Sequence, residues 1–175
     1  MCYSATAIAN YFITRSKETN TPISNMHLQK MLFFAHAAYF KESKEPLFSD
    51  PVVAWQHGPV VVSVYHRLKQ YKNGVVNDEI AVLKDDGGKN TFPCSLVIPT
   101  VRPKDKEIVD YLNYVWEQLS TVETWRLRAL SHAKGGAWYH TLKEHNIDPD
   151  NDEDVANNLP RNLTILDSTI MEYGR

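Results

Sequence analysis

The acidic run 148–154 begins with the spacing of a calcium-binding loop. Three aspartates occupy positions 1, 3 and 5 of such a loop: Asp148, Asp150 and Asp152. A helix–loop–helix calcium site has glycine at position 6 and a bidentate glutamate at position 12. Glu153 and Leu159 stand at those positions, so the sharp turn and the bidentate ligand are both missing. We therefore predict a solvated loop whose Asp or Asn side chains cap the helix that follows.

The seven histidines raise the question of a zinc site, because imidazole is a common zinc ligand. His27 and His36 are nine residues apart, which places them on opposite faces of one helix. His140 and His145 are five apart, an imperfect match to one helical face, and neither HExxH nor CxxC occurs. We predict no metal and no cofactor. The alternative is a small hydrolase or metal-dependent enzyme built on His57, His132 and His140.

The candidates for a nucleophile are equally few. Of the two cysteines, Cys2 lies at the start of the chain and Cys94 in its middle. We interpret Cys94 as a buried structural thiol, since a reactive thiolate needs an electropositive setting. The chain has no GxSxG elbow and no glycine-rich phosphate loop. We predict no catalytic residue and no enzymatic activity.

The most distinctive run is Trp-Gln-His-Gly-Pro-Val at 55–60. One interpretation is a strand-to-helix corner in which Trp55 is buried and Gly-Pro makes the bend. The other puts Trp55 or His57 on an exposed rim, where aromatic side chains anchor protein contacts. The same two interpretations apply to Trp138 and His132.

Composition limits the class of partner. The chain has 175 residues, of which 43% are hydrophobic and 23% charged, and this suits one globular core. Nineteen Lys and Arg nearly balance 21 Asp and Glu, giving a net charge of −2 without a basic stripe. We therefore predict no nucleic-acid partner. No apolar run of ~18 residues and no signal peptide is visible, so we expect a cytoplasmic protein without a membrane partner.

Helical spacing of apolar residues predicts six to seven helices. The clearest is a core helix after the N-cap Ser24, apolar on nearly every side. Ser120 and Glu123 form a capping-box pattern that predicts the start of the fifth helix at Ser120. The other predicted helices begin at Ser4 or Thr6, at Pro59, at Lys104 and at Ala137, and the last spans 163–170.

Strand signals are short. Val52–His57 is β-branched and aromatic, and 80–84 with 92–98 predicts a hairpin around Asp86-Gly87-Gly88. The predicted fold class is α+β, mainly α: a compact bundle of about six to seven helices with a small antiparallel β element.

Four runs in order resemble the Panacea antitoxin-domain family, which includes SocA-like antitoxins and phage-associated GepA-type proteins. Residues 27–36 resemble its LQKLLYYAQ helix, and 45–48 resemble its PLF turn. Residues 55–60, followed by Tyr65, resemble its W..GPV....Y signature, and 130–138 resemble its closing L..TH…PW. The resemblance implies a mainly helical domain with a small β element.

Order and spacing agree with the family over residues 4–143, whereas residues 146–175 form an unmatched C-terminal extension. We predict a single Panacea-like domain over residues 1–175. The resemblance implies an antitoxin that neutralises a cognate toxin, usually encoded by an adjacent gene, through direct protein–protein contact. One branch of the family instead acts as an adaptor that delivers its toxin to a cytoplasmic protease, for which residues 146–175 are the candidate second surface.

The partner-binding surface implied by the matched motifs lies near 55–65 and 132–138, together with the polar pair of the second helix. The predicted partner-binding residues are Gln29, Lys30, Trp55, His57, Gly58, Pro59, Tyr65, His132 and Trp138.

Overall fold

The fold was taken from a computed structural model that describes residues 2–85 and 94–174. These residues form eight α-helices and two small antiparallel sheets, which confirms the mainly helical α+β class. The helices are α1 Ala5–Glu18, α2 Asn25–Ser43, α3 Val62–Leu68, α4 Lys106–Leu119, α5 Thr124–Ser131, α6 Ala137–Glu144, α7 Asp152–Asn158 and α8 Asp167–Tyr173. The strands are β1 Val52–Trp55, β2 Gly58–Val61, β3 Val82–Asp85, β4 Cys94–Val97 and β5 Thr164–Ile165. A short 3-10 helix, Lys69–Tyr71, follows α3.

Helix α2 is the centre of the fold. The Ser24 side chain accepts a hydrogen bond from the His27 N–H at 3.2 Å, which confirms the predicted N-cap. The helix packs against α1, α3, α4, α5, α8 and β2, so apolar side chains on nearly all its faces are removed from water. Burial of each large apolar side chain contributes about 1.5–3 kcal/mol. The predicted core helix is confirmed.

The first sheet has the order β2-β1-β5 and is antiparallel throughout. The predicted helix start at Pro59 is wrong, because Pro59 lies in β2 opposite Ala54 and the helix begins only at Val62. Proline is tolerated there because β2 is an edge strand. The two-residue turn Gln56-His57 and the positive φ of Gly58 (95°) fold β2 back onto β1.

The second sheet is the predicted hairpin. β3 pairs with β4 in antiparallel register, with Leu83 opposite Leu96. Both of these side chains are exposed. The predicted turn at Asp86-Gly87-Gly88 lies outside the described residues, as does the side chain of Cys94.

Two predicted helix boundaries are corrected. Ser120 is the C-cap of α4, since its N–H donates to the Trp116 carbonyl at 2.9 Å, and α5 begins at Thr124. The chain keeps helical φ and ψ through Ser120, so its side chain is not placed to cap the next helix. The predicted helix over 163–170 is wrong in its first half, where Thr164–Ile165 pairs with β1.

The C-terminal extension shares the core with the rest of the chain. Ile165 is 1% exposed and Ile170 is fully buried, and α8 packs against α2 and α6. The prediction that an Asp or Asn caps the helix after the acidic run is confirmed, because Asn151 accepts from the N–H groups of Glu153 and Asp154 at the start of α7. In the described ranges, no helix combines the length and hydrophobicity needed to cross a bilayer.

Candidate functional site

The β1–β2 turn lies directly over α2 and α5. At Gly58 a positive φ and lack of space both require glycine. A Cβ at this position would lie 2.7 Å from the Lys30 amine, 2.7 Å from the Ser131 hydroxyl and 2.9 Å from the His132 ring. Lys30, Ser131 and His132 therefore surround one point beneath the turn.

Lys30 is a buried charged residue, only 1% exposed. Its amine donates a hydrogen bond to the Pro59 carbonyl at 3.1 Å. Burial, together with a smaller contribution from the nearby positive charge of Arg128, lowers the pKa of Lys30 to about 7. Lys30 thus lies in a helix that is apolar on nearly every side, and its hydrogen-bond partner is a carbonyl of the hairpin.

Gln29 fixes the hairpin to α2 from the next position along the helix. Its side-chain oxygen accepts from the Val61 N–H at 2.8 Å, and its amide donates to the Asn25 side chain at 3.3 Å. Asn25 in turn donates to the Tyr65 carbonyl at 3.4 Å. Gln29 and Asn25 are 2% and 3% exposed, so this polar chain is internal and positions β2 and α3.

Trp138 is 1% exposed and lies beneath Trp55. Its indole N–H donates to the Trp55 carbonyl at 2.9 Å. The His132 ring lies 4.1 Å from the Trp138 ring, centroid to centroid, and its Nε2 is 3.3 Å from the Gln56 carbonyl oxygen. Burial lowers the pKa of His132. Trp138 and His132 thus support the turn from below.

Trp55 is half-buried at the surface and held from two sides. Its ring meets Tyr65 edge-on, with centroids 4.8 Å apart. Its indole N–H donates to the Arg161 carbonyl at 3.0 Å, which joins the hairpin to the C-terminal extension. These two contacts therefore hold the Trp55 ring in one position in the protein alone.

Two depressions meet at Trp55 and His57. One, of about 410 Å³, is here called the lysine cleft; its other lining includes Gln29, Lys30, Val60, Tyr65, Lys69 and Lys72. The second, of about 570 Å³, is here called the tail groove; its other lining includes His66, Val155, Leu159, Pro160, Arg161 and Asn162. The exposed turn and these two depressions together are called the hairpin face.

The nine predicted partner-binding residues lie around this hairpin, at different depths. Five are buried: Gln29, Lys30, Gly58, Pro59 and Trp138. Three are half-buried, namely Trp55, Tyr65 and His132, and His57 is exposed. The motif is thus mainly the internal support of a face of which only some residues reach the surface.

Sequence reasoning missed Asn25, Ser131 and the groove residues 159–162. Asn25 stands four positions before Gln29 on the same face of α2, and that spacing is a signal for a side-chain pair. Ser131 and residues 159–162 had no such local signal, because they reach the hairpin only through the fold.

The histidines are separated by the fold. His36 is 1% exposed, with its ring 4.2 Å from that of Phe48, and its Nδ1 is buried without a hydrogen-bond partner among the described residues; burial lowers its pKa to about 4. His140 stacks on Tyr173 with centroids 3.7 Å apart, whereas His132 supports the hairpin turn. Within residues 2–85 and 94–174, no group of three His, Cys, Asp or Glu side chains is arranged to hold a metal ion.

Comparison with known proteins agrees with the motifs that surround the hairpin. The family described as "Antitoxin SocA-like, Panacea domain" matches residues 28–139, a range that contains all nine predicted residues. The chain belongs to this family. Antitoxin SocA of Caulobacter vibrioides (strain NA1000 / CB15N) is 31% identical over 137 residues, which are 77% of this chain and 68% of that protein. No solved structure matches the chain.

Proposed function

We propose that this protein is an antitoxin that neutralises a cognate toxin by direct protein–protein contact through the hairpin face. Its family is that of SocA-like antitoxins, and the relative in Caulobacter vibrioides is named an antitoxin. In this proposal the toxin is encoded by an adjacent gene, and the two proteins bind each other in the cytoplasm. It assigns residues 1–175 to one binding domain without catalytic activity.

The observation that carries this proposal is the rigid, half-exposed Trp55 between two depressions. Interface energy is concentrated in a few aromatic or arginine anchors whose surroundings exclude water. Trp55 is held in place by Tyr65, Trp138 and Arg161, so ordering it on binding costs little conformational entropy. Exposed His57 extends the same surface.

The test is co-expression with the product of each flanking gene. A cognate toxin stops growth when expressed alone and permits growth beside this protein, with which it co-purifies. Trp55→Ala should weaken toxin binding about 30-fold, the equivalent of roughly 2 kcal/mol for an anchor, and should abolish growth rescue. Trp125→Ala is the matched control, because Trp125 is 69% exposed on α5, outside the hairpin face.

Thermal unfolding of both variants separates loss of contact from loss of fold. If folded Trp55→Ala still rescues growth and folded Trp125→Ala does not, the toxin binds at α5 and not at the hairpin face. Flanking gene products that neither stop growth nor bind would contradict the antitoxin proposal itself.

A protease adaptor is the second candidate, supported by exposed apolar side chains in the C-terminal extension. Leu166 is 59% exposed and Met171 is 37% exposed. Deletion of residues 146–175 would remove β5 and α8 from the core, so the surface pair is the better test. In an adaptor, Leu166→Ser with Met171→Ser lengthens toxin half-life while toxin binding persists. If neutralisation is by masking alone, the toxin half-life is the same with either form.

A further inference from the structure

The lysine cleft contains a buried cation whose hydrogen-bonding capacity is only partly used. An ammonium group has three donors. In the part of the chain that the structure describes, the Lys30 amine makes one hydrogen bond, to the Pro59 carbonyl. The side chain is 1% exposed, yet it contributes to the wall of a cleft of about 410 Å³. A group that enters the cleft therefore approaches a lysine side chain that bulk water reaches poorly.

The surroundings of Lys30 add positive charge and supply no counter-ion. Lys69 and Lys72 stand exposed on the wall of the same cleft, and Arg128 acts on Lys30 as a like charge. Among the described residues that line the cleft, none is Asp or Glu. A buried charge without an opposite charge is costly, so an entering anion would gain an interaction that the free protein lacks.

We propose that the lysine cleft receives a carboxylate of the partner protein, held by the Lys30 ammonium with Lys69 and Lys72 at the rim. This inference deepens the proposed function, on which it rests, by naming the chemical group that the partner brings. The carboxylate belongs either to an acidic side chain or to the C-terminus of the partner, since both present the same oxygen pair.

The composition of the cleft favours a carboxylate over a phosphate. Lysine binds phosphate as a point charge, but the bidentate recognition of phosphate comes from the planar fork of arginine, and other phosphate sites supply a series of backbone N–H groups. The described lining of this cleft contains no arginine and offers one buried ammonium. Trp55, Val60 and Tyr65 form apolar and aromatic walls, which suit the carbon atoms that adjoin a carboxylate in a protein.

The test is an NMR titration of the whole chain with small carboxylates and their neutral amides. N-acetyl-phenylalanine represents a chain terminus, and N-acetyl-glutamic acid α-amide represents an acidic side chain. Their amide counterparts and inorganic phosphate are the comparison probes. The lysine 13Cε signals report the protonation of Lys30, and the Gly58 and Val61 N–H signals report occupancy of the cleft.

We expect a carboxylate to bind at least tenfold more tightly than its amide and to raise the apparent pKa of Lys30 by at least one unit. Lys30→Met should remove this preference, whereas Lys41→Met should keep it, because Lys41 is an exposed lysine near the other end of α2. The stronger of the two carboxylate probes identifies the source of the group. The acid–amide comparison uses the unmodified chain, so it stands even if a variant fails to fold.

Equal binding of acid and amide, or a Lys30 signal that neither acid moves, would overturn the proposal and leave Lys30 as a support of the hairpin. Tighter binding of phosphate than of either acid would overturn it in favour of a phosphorylated or nucleic-acid ligand. A chain that binds carboxylates but rescues no toxin would keep this site and refute the antitoxin function. If the unmodified chain binds no carboxylate and Lys30→Met still rescues growth, the antitoxin function stands and the carboxylate site is refuted.

Discussion

Replacing Lys30 by methionine should change how the stability of the protein depends on pH. Methionine has a similar length and no charge, so it fits the same buried position. In the native chain the pKa of Lys30 is about 7, against an ordinary value of 10.5. At a pH between these two pKa values, Lys30 is protonated in the unfolded chain and deprotonated in the native chain. Unfolding then takes up a proton, and the free energy of unfolding rises with pH.

The magnitude follows from the same two pKa values. One pKa unit corresponds to about 1.4 kcal/mol, and the full slope is reached about one pH unit above the native pKa. From pH 7 to pH 9 the wild-type chain should gain about 2 kcal/mol of stability relative to Lys30→Met. Below pH 6 both native and unfolded wild-type chains are protonated at Lys30, so the difference between the two proteins should be constant.

Urea unfolding at pH 5.5, 7, 8 and 9 measures this difference. The discriminating quantity is the change with pH, because loss of the hydrogen bond to Pro59 shifts Lys30→Met by the same amount at every pH. Lys41→Met, an exposed change on the same helix, should follow the wild-type curve. Parallel wild-type and Lys30→Met curves from pH 7 to 9 would refute the inference that Lys30 is a desolvated cation.

Three further predictions, which use four substitutions, test the packing and burial of single residues. Gly58→Ala should destabilise the protein by about 2–3 kcal/mol, because the new methyl group strains the backbone and overlaps its neighbours. Gly135→Ala is the control: Gly135 has a φ of 81° and open space around it, so this change should cost about 1 kcal/mol in urea unfolding. Equal costs for the two variants would contradict the crowding beneath the turn. Trp138→Phe should cost at least about 1 kcal/mol and weaken toxin binding, because the Trp55 carbonyl loses its donor; unchanged values for both would contradict that support role. The free energy of unfolding of the wild type should fall by up to about 3 kcal/mol as pH falls from 6.5 to 4, because burial disfavours the charged form of His36. In urea unfolding over this pH range, His36→Leu should show a smaller fall. The same dependence on pH in both proteins would contradict the prediction.

The elements predicted correctly are those determined by neighbouring residues. Helix α2 combines an N-cap at Ser24 with apolar side chains on most faces, and both signals are local. The strand at Val52 is likewise marked by β-branched residues. The pairing of β3 with β4 agrees with the spacing of their turn signals.

The errors arise where distant contacts decide the backbone. Pro59 is favourable both at a helix start and on an edge strand, and pairing with β1 selects the strand. Ser120 fits a capping box, yet α4 continues through it. Leu163 has helical spacing with later residues, but the next two residues complete a sheet whose other strands lie about a hundred positions earlier.

The sequence predicted which residues belong to the candidate site, but not how deeply each side chain is buried. Motif resemblance named Gln29, Lys30 and Trp138, and the fold gathers them around one hairpin. Their burial depends on contacts with Pro59, Val61 and Trp55, which no local pattern encodes. For the same reason the sequence did not show that residues 159–162 form the opposite wall of a groove at Trp55.

The central claim, that the hairpin face binds a toxin, is tested most directly by a complete map of exposed and half-buried positions. Each exposed or half-buried residue of the chain is changed to alanine and to aspartate, and every variant is scored for toxin neutralisation and for folded protein. The account predicts that folded variants which fail to neutralise cluster at Trp55, His57, Tyr65 and the rims of the two depressions. Folded failures concentrated instead around Trp125 of α5, with the hairpin face tolerant of change, would contradict it.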